Sequence, residues 1–105
     1  MPTDPQDTFD RLAEQFLTDP RVRGGRMFGA TGLKLGGKVF AMLVKGDLVV
    51  KLPASEASDL VDAGVGTFFD PGHGRPLRQW VAVPATHAPR WHRLAEQARD
   101  HAALP

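Results

Sequence analysis

The sequence contains no cysteine among its 105 residues, which excludes disulfides and thiolate metal sites and is compatible with a cytoplasmic setting. It also lacks any apolar run near the roughly 18 residues that a membrane helix requires. The opening MPTDPQDTFDRL has no basic start followed by an apolar stretch, so it does not read as a secretory signal. A soluble, cytoplasmic protein without membrane association is expected. Internal repeats, low-complexity tracts and interdomain linkers are missing too. The chain is therefore read as one domain over 1–105, with its core between about residues 8 and 102.

Net charge is also scarce, at +1, which argues against a uniformly basic nucleic-acid binder. Its distribution is uneven. Between Pro20 and Leu52 lie Arg21, Arg23, Arg26, Lys34, Lys38, Lys45 and Lys51 against Asp47 alone, so the rest of the chain is acidic.

What is present is a two-layer pattern. Phe9, Leu12, Ala13, Phe16 and Leu17 share one face of a helix that starts near Asp7 or Thr8 and is stopped by Thr18-Asp19-Pro20. Arg21 to Gly25 reads as a polar connection. Three strands follow in RMFGATGLKLGGKVFAMLVKGDLVVKL. Gly36-Gly37 suits a two-residue hairpin, pairing Leu35 with Lys38 and Leu33 with Phe40, so Leu33, Phe40, Met42 and Val44 share a face. A three-residue loop, Lys45 to Asp47, would pair Val44 with Leu48 and keep Val50 and Leu52 inside with Lys51 outside, which avoids burying an unpaired lysine.

The remainder alternates again. A helix over Glu56–Ala63, N-capped by Ser55 and stopped by Gly64, leads to a strand at Val65–Phe69 and a turn-rich loop from Asp70 to Pro76. Arg78–Val83 reads as a further strand, and Ala88–Ala102 as a last helix with Trp91, Leu94, Ala95 and Ala98 on its apolar stripe. The expected class is α+β, a two-layer domain of order α-β-β-β-α-β-β-α whose mostly antiparallel sheet is covered by helices.

The register leaves Phe28, Ala30, Val39, Ala41, Leu43 and Val49 on the second face of the sheet. Such a patch marks an interface, so Phe28, Val39, Ala41, Leu43 and Val49 are the expected interaction face, for a protein partner or a second copy. Coverage by a helix of the same chain is the competing reading. Arg21, Arg23, Arg26, Lys34, Lys38 and Lys45 could contact phosphates; lysines on strand edges also block edge-to-edge aggregation.

Motifs for chemistry are thin. The glycines of Phe28-Gly-Ala-Thr-Gly-Leu33 resemble an anion nest, but the strand runs into another strand instead of a helix, which favours a bulge or a close backbone approach. His73 and Arg75, in the Asp70–Pro76 loop, could hold a small anion, yet no nucleophile or acid stands at a telling spacing. His73, His87, His92 and His101 show no i, i+4 ligand spacing, and Trp80 and Trp91 read as core. No catalytic residue, cofactor or metal is expected.

Arg26-Met-Phe-Gly-Ala-Thr-Gly-Leu33, Gly37-Lys-Val-Phe-Ala41, Asp47-Leu-Val-Val-Lys51 and Trp80-Val-Ala-Val-Pro84 together resemble the TfoX/Sxy N-terminal domain family over nearly the whole chain. The resemblance implies the same two-layer order and supplies no catalytic residues. The competence regulators that name the family carry a second, C-terminal domain, and this chain is similar to their first half only. The Gly-Lys-x-Phe-Ala pattern also resembles the YjbR-like small proteins, for which DNA binding has been suggested. A non-enzymatic regulatory domain that binds a protein, in the setting of competence or transcription regulation, is expected, with a nucleic-acid accessory protein as the alternative.

Overall fold

The computed structural model describes residues 4–27, 30–72 and 74–104, so Phe28 and His73 lie outside it, as do the side chains of Arg26, Met27 and Ala30. Helix α1 (Pro5–Phe16) begins earlier than the apolar stripe suggests. The Asp4 carboxylate accepts from the Gln6 N–H at 3.0 Å, and Pro5, which has no N–H to leave unsatisfied, fills the first turn. Phe9, Leu12 and Phe16 are buried, the i, i+3, i+7 stripe that turns this helix onto the sheet.

Six strands form one antiparallel sheet: β1 (Val22–Met27), β2 (Ala30–Leu35), β3 (Lys38–Val44), β4 (Asp47–Lys51), β5 (Thr67–Phe69) and β6 (Leu77–Val83), in spatial order β1-β2-β3-β4-β6-β5. With α2 (Ala54–Asp62) and α3 (Trp91–Ala102), this is the expected α+β class with one strand more than expected. The extra strand is β1. The segment from Arg21 to Gly25 reads as a connection because, among its described side chains, only Val22 enters the core, yet all six β1 residues pair with β2.

The Gly36-Gly37 hairpin forms as expected, with both glycines at positive φ and Leu35 opposite Lys38. Beyond it the register departs from the expectation. Lys34 pairs with Val39 but Leu33 pairs with Ala41, so Phe40 is an inserted residue at a β-bulge, and Phe40 and Ala41 both join the helix-covered core. The bulge flips the rest of β3, sending Leu43 toward the helices and Met42 and Val44 away from them. The next loop is Lys45-Gly46 (φ 50° and 83°), a two-residue turn in place of the expected three, with Val44 opposite Asp47. The lysine argument still holds at its destination. With β3 already flipped, the shorter loop leaves Leu48, Val50 and Leu52 on the helix side and Lys51 off it.

Helix α2 starts at Ala54 without a side-chain cap, so Ser55 lies inside the helix instead of capping it. A 3-10 turn over Ala85–Arg90 accommodates Pro89, and α3 therefore starts at Trp91. Its expected stripe of Trp91, Leu94, Ala95 and Ala98 is buried. The second face of the sheet holds its own cluster: Met42 and Val49 are fully buried, and Trp80 and Phe69 nearly so, with the Lys51 ammonium 5.9 Å from the Trp80 ring centroid. No helix among the described residues is long and apolar enough to cross a membrane.

Candidate functional site

The sheet ends at two edges, and they are unequal. β5 offers three residues, while β1 offers six, and among the described residues nothing pairs with its outer side. The turn that launches β1 is tightly built. The Asp19 carboxylate accepts from the Arg21 backbone N–H at 2.9 Å and from its guanidinium at 2.7 and 3.1 Å, and the Asp19 carbonyl accepts from the Val22 N–H.

These bonds from Arg21 hold the Asp19 carboxyl down at about 2, whereas burial pushes the Asp47 carboxyl up from its ordinary value. The two act on stability with opposite sign. Ionised Asp19 favours the fold, and that contribution disappears as pH falls from about 4 toward about 2. Ionised Asp47 opposes the fold, and its cost appears as pH rises through its raised carboxyl range. Urea titrations of Asp19→Asn should show a flatter loss of stability in acid, and those of Asp47→Asn a gain at neutral pH. Parent-like pH profiles in both variants would contradict the assignment.

Alternation along β1 sorts its side chains. Val22 and Gly24 face the helices, while Arg23 and Gly25 face away. Arg23 stands directly opposite Lys34, and the aliphatic stem of Lys34 lies across Gly25. Among the described residues neither cation forms an ion pair, so two like charges sit side by side on one face of the edge. On the other face, α1 and the β1–β3 strands enclose a cleft of about 350 Å³ lined by Phe9, Ala13, Leu17, Gly24, Leu33 and Leu43, with Asp10 and Thr31 contributing polar groups. Leu17 is 47% exposed there, a rare large apolar side chain left open to water.

The other expected site residues are scattered. Of the apolar face, Phe28 lies outside the described residues, Ala41 and Val49 are fully buried, and Val39 and Leu43 are half-buried. Ala41 and Leu43 are on the helix side because of the bulge. The four described residues do not make an exposed patch. Of the basic set, Arg21 is engaged with Asp19, Arg26 contributes backbone to β1, and Lys38 reaches the Leu104 carbonyl at 3.5 Å. Lys45 is exposed on the β3–β4 turn, at the opposite end of β3 from Lys38. Only Arg23 and Lys34 are brought together by strand pairing.

His73 lies outside the described residues and Arg75 is exposed on its loop, where the Asp70 carboxylate accepts from the Gly72 N–H at 2.8 Å. His92 pairs with Glu96 at 3.3 Å, and among the described residues no three His, Asp or Glu side chains gather as metal ligands. Trp80 and Trp91 are both buried, so neither offers a ring for stacking.

Against this geometry, the sequence model of the TfoX N-terminal domain matches residues 12–102. The chain belongs to the TfoX N-terminal domain family. The match runs from within α1 to the end of α3 and includes all six strands, so the edge and the bulge lie within the TfoX N-terminal domain match, as does the cleft apart from Gln6, Phe9 and Asp10. No match was found among curated proteins. Sequence reasoning missed the edge because Val22-Arg-Gly-Gly25, which buries Val22 alone, looks like a loop. The alternation of Val22, Arg23 and Gly24 ahead of a paired hairpin was the available signal.

Proposed function

We propose that this TfoX N-terminal domain is a non-enzymatic regulatory module that binds a protein partner through β1, the long free edge of its sheet. The observation that carries the reading is six residues of edge backbone whose outer side has no partner among the described residues, beside the unneutralised Arg23 and Lys34. Self-association across β1 suits it less well, since it would add a second copy of Arg23, which has no ion pair among the described residues, to the same edge. The test is a photo-crosslinking side chain at position 23, with one at the exposed Asp62 of α2 as control, in the protein's own cells. Protein adducts should form from position 23, survive nuclease and be missing from position 62. An absence of protein adducts at position 23 sinks the reading.

A nucleic-acid accessory role is supported by the same Arg23 and Lys34, together with exposed Lys38. With both tryptophans buried, contact would run through phosphates, so log affinity should fall with log salt at a slope of about −0.9 per phosphate engaged on duplex DNA. Fluorescence titration against duplex and single-stranded DNA at two salt concentrations decides it. Failure to bind either at low salt removes this alternative.

A further inference from the structure

The cleft beside β1 has a property that an incidental surface hollow lacks: a glycine on the strand edge leaves it open on that side. A Cβ built on Gly24 would meet nothing within 4 Å, although Gly24 faces the helix side of a strand, where a side chain belongs. The adjoining walls are largely apolar, with Phe9 and Ala13 of α1 and Leu17 just after it on one side and Leu33 and Leu43 of the sheet on the other, and with Gln6, Asp10 and Thr31 as the polar lining. An unfilled apolar site, an unpaired strand edge and a pair of like charges therefore meet at one place.

We infer that an extended segment of a partner protein adds to β1 as a seventh strand, seating an apolar side chain in the cleft beside Gly24 and an acidic side chain against Arg23 and Lys34. This rests on the edge-binding reading above and names the partner's chemistry. Strand addition is recognised in two ways: main-chain hydrogen bonds give affinity, and alternate side chains, pointing to opposite faces, give specificity. Both faces of β1 are prepared for such a strand. On the helix face the missing Cβ leaves room for a partner side chain of about valine size. On the other face a carboxylate relieves the repulsion between Arg23 and Lys34, which has no remedy within the chain's described residues. A second copy of this chain fits poorly, because it would bring a second Arg23 to the same edge. The acidic side chains of α1, with Asp10 at the cleft, disfavour acid on the helix face, so the charge and the apolar side chain must alternate.

The test uses the full chain and three fluorescein-labelled heptapeptides: one alternating Glu and Val, one alternating Lys and Val, and one with the Glu and Val residues in two blocks. Fluorescence polarisation should show binding of the alternating Glu peptide, with the other two at least about 10-fold weaker, a difference of about 1.4 kcal/mol. Gly24→Val should occupy the strand-side mouth of the cleft and weaken the Glu peptide at least about 10-fold. The same variant should melt about 3–8 °C higher, since glycine is the poorer strand residue and nothing stands in the way of the new side chain. Opposite signs on binding and stability separate this from a folding defect, and Gly24→Ala should give a smaller change of each kind. Arg23→Glu should reverse the preference in favour of the Lys peptide.

Equal binding of the Glu and Lys peptides, unchanged binding by Gly24→Val, or no binding of any peptide at millimolar concentration would each overturn the inference. So would a dimer in sedimentation that the Glu peptide fails to dissociate. If peptides fail while position 23 still crosslinks a protein in cells, strand addition falls and the edge reading stands. If the crosslink is missing as well, both fall.

Discussion

Replacing Trp91 with alanine is expected to cost about 3–5 kcal/mol, the usual range for emptying a large aromatic site in a core. Against a total stability of about 5–15 kcal/mol for a domain, this is enough to leave the variant close to half unfolded at physiological temperature if the parent lies near the lower end. Trp91 is the largest fully buried side chain among the described residues, and it begins α3, so it ties that helix to the sheet at its first residue. Its indole N–H is buried without a hydrogen-bond partner in the described structure, which sets the sign of a second comparison. Trp91→Phe keeps most of the ring volume and removes that unpaired donor, so it should cost well under half of what alanine costs. Leu104→Ala, at a side chain 59% exposed, should be near neutral. Chemical denaturation of the three variants tests the ordering, and an alanine variant within about 1 kcal/mol of the parent would show that Trp91 does not anchor the core.

Gly32→Ala should be nearly as damaging for a different reason. A Cβ there would stand 2.5 Å from the Ala41 carbonyl oxygen and 2.9 Å from the Met42 Cβ, and the nearer atom is backbone, which cannot rotate away. Room can be made only by parting β2 from β3 at the bulge, so a loss of about 2–3 kcal/mol is expected, together with faster amide exchange across that hairpin. Gly24→Ala, in the neighbouring strand, meets nothing within 4 Å and should be neutral or stabilising. The same chemical change thus separates a glycine required for close approach from one that leaves a space. Equal stability of the two variants would contradict this account.

The helices were legible in the sequence because their apolar residues recur at helical spacing and the core accepts that spacing directly: α1 and the stripe of α3 lie where Phe9 to Phe16 and Trp91 to Ala98 place them. The Gly36-Gly37 turn was legible because few backbones suit two consecutive positive φ angles. Two features were not. β1 carries edge chemistry, with glycine and arginine where a central strand would carry valine and isoleucine, so local composition argued for a loop and pairing with β2 overrode it. The bulge at Phe40 was hidden because KVFAMLV is apolar on both faces, and a sequence apolar at every position does not reveal where one residue has been inserted. That single insertion moved Ala41 and Leu43 off the expected interaction face. The burial of Met42, Val49, Phe69 and Trp80 against one another then removed the patch itself. The basic bias was legible as composition, but only strand pairing could say that Arg23 and Lys34 are the two cations set side by side.

The position of β6 between β4 and β5 fixes an order of assembly. Strands β1 to β4 form an unbroken meander from Val22 to Lys51, each pairing with the next in sequence. β5 pairs only with β6, and β6 joins the meander only through β4, so β5 cannot enter the sheet before β6 does, although it precedes β6 in the chain. The short edge therefore joins the sheet only through a long-range closure of β6 onto β4 across α2, which is the slow kind of contact. The strand pairings behind the long edge involve no residue beyond 51, so a nascent chain that has emerged through Lys51 already contains every strand of the meander that carries β1, while the α3 side chains that cover it come later.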